Sequence, residues 1–214
     1  MQRILQSFGW KDFHHPLFYN SPFSLRFELG YPHEMGPVRF IQAMDRARAI
    51  TSFVFSKSSD LTIAVPFYSR HGQTDPPPKL EKALRSTNFS GIISGIDRIE
   101  TADLAECWDL EAGCYRFLCS LRLPNQEDQI LPFIWAAVAE EMGIGPRFSS
   151  IAKSYIADPE RGLVVHIYDD RGMDVIAVER QTLRPCYERF NDWLLDYGRD
   201  RMDATFSSST TKDS

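Results

Sequence analysis

The segment VVHIYDDRGMDVIAV, from Val164 to Val178, contains two apolar runs around a short polar centre. Two runs rich in β-branched residues, separated by a centre that contains glycine, are typical of a β-hairpin. The centre also holds three aspartates and one arginine. Two interpretations are therefore open: an acidic site, or a tight turn with charged residues around it.

Loop geometry distinguishes two registers for this hairpin. A two-residue loop containing Arg171 would bring two aspartates face to face and would require a positive φ at a non-glycine residue. A three-residue loop, Asp170–Gly172, gives the left-handed position to Gly172 and places Tyr168 opposite Asp174. We predict this second register. It also pairs Ile167 with Val175, His166 with Ile176, and Val165 with Ala177.

The charged residues of the hairpin are candidates for a binding surface. Their spacing lacks the alternate ligands and terminal glutamate of a common calcium loop, so we predict no metal site. We expect instead an exposed charged tip. A second charged pair lies on one face of the strand Leu25–Leu29. The candidate binding residues are Tyr168, Asp169, Asp170, Arg171, Asp174, His166, Arg26 and Glu28.

Further elements follow from the pattern of apolar residues. In Leu25–Leu29, apolar and charged residues alternate, which predicts a strand with one buried and one wet face. From Pro37 to Val54, apolar residues recur every three or four positions, which predicts an amphipathic helix. We also predict strands at 61–68, with Pro66 at an edge or strand end, and at 113–123, paired as a hairpin with 106–110. Helices are predicted at 79–86, 130–143 and 183–197.

These elements predict an α+β fold with mixed α/β layers. We expect an antiparallel or mixed sheet, about four helices, and a C-terminal hairpin followed by a helix. Residues 1–203 are predicted to form a single domain, with a loop or weak boundary at 72–78. The polar end, residues 204–214, is predicted to be a disordered tail.

Composition limits the classes of partner. The net charge is −5, which lacks the basic excess of a nucleic-acid binder. No apolar run is long enough to cross a bilayer, and the N-terminus lacks the apolar core of a secretory signal. We therefore expect a cytoplasmic protein with neither a nucleic-acid nor a membrane partner. The four cysteines lack paired metal-ligand spacing, so we expect buried thiols.

Motifs for catalysis and cofactors are missing from the sequence. There is no GxSxG, HExxH, GxGxxG or P-loop pattern, although a nucleophile and base can also come from distant residues. We assign no catalytic residue and expect no cofactor. The oligomeric state cannot be read from the pattern.

The hairpin, the strand LRFELG at Leu25–Gly30 and the aromatic segment CYERFNDWLLDY at Cys186–Tyr197 together resemble a bacterial family known only as a domain of unknown function. The resemblance covers chiefly the last sixty or so residues. It implies no activity, cofactor or catalytic residue. Some small acidic bacterial proteins of unknown function look like immunity proteins that neutralise toxins. For this chain, that role is a hypothesis by analogy.

Two functional hypotheses result. In the first, the chain is a non-enzymatic protein-binding factor, immunity or antitoxin-like, that presents an acidic surface to a basic partner such as a toxin. In the second, it is an enzyme whose dispersed site combines His166 with the hairpin aspartates and with Arg26 or Glu28.

Overall fold

The computed structural model describes residues 1–70, 77–87, 89–99 and 114–207. Within these residues, seven strands form one sheet in the order β1-β7-β6-β5-β2-β4-β3, and each neighbouring pair is antiparallel. The strands are β1 Phe23–Glu28, β2 Asp60–Arg70, β3 Ile92–Ile99, β4 Cys114–Pro124, β5 Tyr155–Asp158, β6 Leu163–Ile167 and β7 Gly172–Ala177.

Seven α-helices accompany the sheet in the described residues. They are α1 Gln2–Ser7, α2 Leu17–Asn20, α3 Gly36–Val54, α4 Pro78–Ser86, α5 Glu127–Ala139, α6 Arg180–Arg189 and α7 Arg199–Phe206, and a 3₁₀ turn spans Asn191–Trp193. The α+β class is therefore confirmed, with more helices than the four predicted. None of the helices in the described part of the chain has the length and apolarity needed to cross a bilayer.

The two faces of the sheet bury different clusters, because successive residues of a strand point to opposite sides. Val165 belongs to the larger core, which includes the buried residues of α3, α5 and α6. Its neighbour Val164 belongs to a smaller cluster in which strand residues pack against residues 1–22, which we call the N-terminal arm. The arm contains α1 and α2 and covers the second face with Ile4, Leu5, Phe13 and Leu17.

Helix α3 follows the predicted pattern closely. It begins at Gly36 with Pro37 in its first turn, where the missing N–H of proline leaves no hydrogen bond unmade. The residues of the predicted stripe are all buried: Phe40, Ala43, Ala47, Ile50 and Val54. The prediction of an amphipathic helix here is confirmed.

Strand predictions were accurate in position but less so in environment. The predicted wet face of β1 is wrong, because Ser24 and Arg26 are buried beneath the arm as Leu25 and Phe27 are buried on the other side. Strand β5 pairs with β2 at residues 62–64. Pro66 lies beyond these residues, so the proline, which has no N–H to donate, has no β5 residue opposite it. The predicted loop at 72–78 and the predicted strand at 106–110 lie largely or wholly outside the described residues.

The predicted helix at 183–197 is wrong in its second half. Helix α6 ends at Arg189, and Leu194 instead forms a bridge with Phe27 on the outer edge of β1. The backbone N–H of Leu195 donates to Arg26 O at 2.9 Å, which pairs that edge further. Leu194 is therefore buried as part of the sheet edge, although its spacing fitted a helix.

The predicted disordered tail is wrong for residues 204–206, which end helix α7. Phe206 is 1% exposed and stacks on Tyr187 with ring centroids 5.4 Å apart. A single buried aromatic residue thus extends the packed structure past the predicted boundary at 203. Residues 208–214 lie outside the described part. The prediction of one domain stays a prediction.

Candidate functional site

The hairpin β6–β7 exists, but its loop lies one residue earlier than predicted. Ile167 pairs with Met173 and His166 with Asp174, and the N–H of Tyr168 donates to Gly172 O at 3.3 Å. The loop is therefore residues 169–171, and the predicted facing of Tyr168 and Asp174 is wrong. The shift moves each pairing by two residues, so the predicted faces of the strands are retained.

Gly172 also has a different role from the one predicted. It does not adopt a positive φ but lies in the extended backbone of β7. A Cβ atom at this position would lie 2.7 Å from the backbone oxygen of Phe27 and would collide with the phenol of Tyr168. Glycine is required here because Tyr168 lies across the strand and fills the space of a side chain.

The loop carboxylates are buried rather than exposed, and each is paired with an arginine. Asp169 accepts from the N–H of Arg171 at 2.7 Å and from its Nε at 2.9 Å. Asp170 pairs with Arg39 at the start of α3. Asp169 is 2% exposed and Asp170 7% exposed. The prediction of an exposed acidic tip is therefore wrong, because the loop packs against α3 and its charges serve the fold.

Of the loop residues, Arg171 faces solvent. Its guanidinium donates to Glu141 at 3.1 Å as well as to Asp169, and 64% of its side chain is exposed. The loop backbone is also tied to the end of β1, because Leu29 N–H donates to Arg171 O at 3.0 Å and Gly30 N–H donates to Asp170 O at 2.8 Å. These hydrogen bonds hold the loop against Glu141 and against the end of β1.

A row of polar side chains crosses four neighbouring strands on the face beneath the arm. The pairings join Tyr155 to His166, His166 to Asp174, and Asp174 to Arg26. We call these four residues the polar row. All four are less than 9% exposed. The structure therefore brings together three predicted site residues, His166, Asp174 and Arg26, with one that the prediction missed.

At one end of the row, Arg26 and Asp174 form a closed ion pair. Arg26 Nε and Nη2 donate to the two carboxylate oxygens of Asp174 at 2.8 and 3.0 Å. The backbone N–H of Phe18, in the arm, donates to Asp174 Oδ2 at 3.0 Å. The guanidinium also lies over the rings of Phe18 and Tyr19. This pair is satisfied internally, so it presents no free charge to a ligand.

Glu28 does not join this group. Its backbone oxygen accepts from Arg46 at 2.9 Å, and its strand partner is Gly172. The hypothesis of an Arg26–Glu28 charged patch is wrong, because Arg26 turns to Asp174 across the strands rather than to the next residue on its own face.

At the other end of the row, His166 stacks on Tyr155 with ring centroids 4.4 Å apart. His15, on the arm, meets His166 edge-on at 5.2 Å. Among the described residues, Nδ1 of His166 is buried and has no hydrogen-bond partner. Burial, with smaller effects from the nearby charges of His15, Lys153 and Arg116, lowers the pKa of His166 to about 3. His166 is therefore neutral in the folded protein.

Burial limits the chemistry available to the polar row, to Tyr168 and to the described cysteines. Within the described residues, no three His, Cys, Asp or Glu side chains are grouped so that they could hold a metal ion. Burial and the charge of Asp174 raise the pKa of Tyr168, so its phenol stays protonated. The buried thiols Cys119 and Cys186 have pKa values raised to about 11 and about 12 by burial, so they react slowly.

A different surface was missed by the prediction. Tyr31, Met35, Val38 and Ile41 are 48%, 81%, 61% and 59% exposed, and we call them the α3 patch. Val38 and Ile41 lie one turn apart on the helix and Met35 precedes it directly. Tyr31 is held beside the same turn by its backbone. Its N–H donates to Gln42 at 2.8 Å, and its carbonyl oxygen accepts from Arg39 at 2.6 Å.

The sequence did carry a signal for the α3 patch. Val38 and Ile41 are apolar residues that fall outside the buried stripe of α3, so they had to face away from the core. For Tyr155 and His15, by contrast, no local pattern carries a signal, because they meet His166 through strand pairing and through the path of the arm.

Comparison with known proteins agrees with the predicted resemblance and extends it. The family model described as Domain of unknown function (DUF3885) matches residues 1–198. Uncharacterized protein YnaE of Bacillus subtilis (strain 168) is 29% identical over 82 residues, which are 36% of this chain and 38% of that protein. The match thus spans well under half of that relative's length. No solved structure matches the chain. Because the family model covers nearly the whole sequence, the chain belongs to the family of the Domain of unknown function (DUF3885).

Proposed function

We propose that this chain is a non-enzymatic protein-binding protein that contacts its partner through the α3 patch. The observation that carries this proposal is the exposure of Met35, Val38 and Ile41 at the start of a long helix. A solvent-facing helix surface is normally polar, and clustered exposed apolar side chains mark sites of protein interaction.

Charge suggests the chemistry of the partner. Glu34 and Asp45 are exposed beside the patch, and Asp45 lies 3.9 Å from the exposed Arg48. The net charge of the chain is −5. A partner with an apolar groove and a basic rim complements this surface and associates faster because of the opposite charge. Neutralisation of a basic toxin, as by an immunity or antitoxin-like protein, is the biological role that we propose for this binding.

A two-step binding experiment tests the proposal. The chain is immobilised, proteins from the cells that carry its gene are captured, and each captured protein is purified and titrated against the chain. We expect Val38→Glu with Ile41→Glu to weaken the affinity at least about tenfold, the loss of one buried apolar anchor being worth 1–2 kcal/mol or more.

The matched control is Ile92→Glu with Ile93→Glu, which places the same charges on exposed residues of β3, 64% and 43% exposed. This control should bind as the unmodified chain does. Equal affinities for the two double variants would contradict the proposal. For the toxin-neutralising role, the captured partner should slow growth when expressed alone, and co-expression of the unmodified chain, but not of the patch variant, should restore growth.

An enzyme with a dispersed site is the second candidate, favoured by the convergence of His166 and Asp174 and by the free Nδ1 of His166. These residues are 4% and 0% exposed, so a substrate would reach them only after the N-terminal arm had moved. The two candidates predict opposite outcomes. His166→Phe would abolish the biological effect of an enzyme and leave that of the proposed binding protein intact.

A further inference from the structure

The N-terminal arm is attached to the sheet at three points along its length. Arg116 Nε donates to Asp12 at 2.6 Å, and Phe13 stacks on Tyr155 with ring centroids 4.0 Å apart. Nearer to β1, the backbone N–H of Phe18 donates to Asp174. The arm therefore lies directly over the polar row and closes it from solvent.

Between these attachment points, the arm and the sheet meet through two histidines. His15 on the arm touches the ring of His166 edge-on, and Nδ1 of His166 finds no hydrogen-bond partner among the described residues. The cations that act on His166 are His15, Lys153 and Arg116, from the arm, from the turn before β5 and from β4. The carboxylate of Asp174, opposite His166 on β7, is paired with Arg26, and Asp12 of the arm is paired with Arg116.

This placement makes a proton on His166 incompatible with the closed arm. The added charge would be buried next to cations, and the nearby carboxylates are already paired. Two tyrosines neighbour His166, namely Tyr155 on β5 and Tyr168 directly after β6. Neither carries a charge that could offset the proton, because burial raises their pKa values.

We propose that residues 1–22 form a pH-sensitive strap: protonation of His166 and His15 releases the arm from the sheet and uncovers the polar row together with the apolar residues Leu118, Val164 and Ile176. This goes beyond the binding function proposed for the α3 patch, and it does not depend on it.

The sign of the effect follows from the two histidines. Burial lowers the pKa of His166 to about 3 in the closed state, and burial also lowers that of His15. In a released arm the imidazoles regain ordinary pKa values near 6.5. The released state therefore binds more protons at pH values between about 3 and 6.5, and the closed state is fully favoured only above that range.

Hydrogen–deuterium exchange at pH 7 and pH 5, corrected for the intrinsic exchange rate at each pH, measures the release. From His166 alone, the opening equilibrium should increase about 25-fold between these pH values. The reporter amide is that of Phe18, which donates to Asp174 on the sheet in the closed state. We expect its corrected exchange to increase by at least this factor, because His15 adds to the effect of His166, while amides in the centre of β2 and β4 stay unchanged.

His166→Phe keeps a ring on Tyr155 but cannot be protonated, so the increase should be smaller by the roughly 25-fold part that His166 contributes, and what remains comes from His15. His33→Phe, at an exposed histidine in another loop, should behave as the unmodified chain. His166→Leu serves the same purpose if the Phe variant fails to fold. Three results would each overturn the proposal: no increase at pH 5, an equal increase in β2 and β4, or an increase in the His166 variants as large as that in the unmodified chain.

Discussion

Single residues of the hairpin have structural roles that their types alone do not reveal. Asp169, Asp170 and Asp174 formed the most conspicuous acidic cluster of the sequence, yet each pairs with a different arginine, namely Arg171, Arg39 and Arg26. Buried carboxylates persist only when paired and hydrogen-bonded, so the arginines explain why the aspartates can lie inside. The cluster is part of the fold.

Gly172→Ala tests the role of close approach at the hairpin. The new Cβ would lie 2.7 Å from the backbone oxygen of Phe27 and against the ring of Tyr168, so something must move. We expect the free energy of unfolding, measured by urea denaturation, to fall by about 1–3 kcal/mol, as for other overpacked sites.

Gly95→Ala is the matched control for this glycine, because Gly95 also lies in a strand but has open space where a Cβ would be. Its effect should stay within about 0.5 kcal/mol. Equal effects of the two substitutions would show that chain flexibility, and not the contact with Tyr168, explains the glycine in the hairpin.

At the scale of whole elements, the local pattern of apolar residues predicted where helices and strands lie in the sequence, but not which elements pair with each other. The stripe of α3 and the alternation in β1 and β4 located those elements, because burial of one face fixes the spacing of apolar residues. The hairpin was found too, but its loop was misplaced by one residue. Glycine in a loop usually adopts a positive φ. Gly172 instead leaves room for the ring of Tyr168, and that contact depends on how β6 and β7 pair.

The candidate site was less predictable than the fold, for a related reason. Leu194 keeps helical spacing with Tyr187 and Phe190, yet it pairs with Phe27 at the sheet edge. The polar row likewise depends on which strands are neighbours, with β7 between β1 and β6. Such long-range pairings bring Tyr155, His166, Asp174 and Arg26 together from positions far apart in the chain, and no local spacing encodes them.

Helix α7 offers a prediction at this scale. Phe206→Ala should lower the free energy of unfolding by about 3–5 kcal/mol, since the removed ring is buried against Tyr187. Thr205→Ala is the control, because its hydroxyl donates to Arg201 O within the same helix. It should change stability by about 0.5 kcal/mol or less. A Phe206 variant as stable as the control would mean that the chain ends its packed structure before α7.

In the whole molecule, the buried polar row and the exposed α3 patch lie on opposite sides of the sheet. The polar row lies under the N-terminal arm, on one face of the sheet, and its charges are mutually paired. The α3 patch lies on a helix that packs against the other face, and its apolar side chains face outward. The proposed binding through α3 and the attachment of the arm by the row therefore involve different sides of the sheet.

The hairpin aspartates are buried components of the fold, and the Arg26–Asp174 pair tests this most directly. A double-mutant cycle of Arg26→Met and Asp174→Asn, read by urea denaturation, gives the coupling free energy between the two side chains. Breaking a buried pair from one side typically costs 3–5 kcal/mol. The exposed pair Arg184 and Glu188, in α6, is the matched control. We predict a coupling of about 3 kcal/mol for the buried pair and at most about 0.5 kcal/mol for the control. A coupling for Arg26 and Asp174 as small as that of the control would contradict the account.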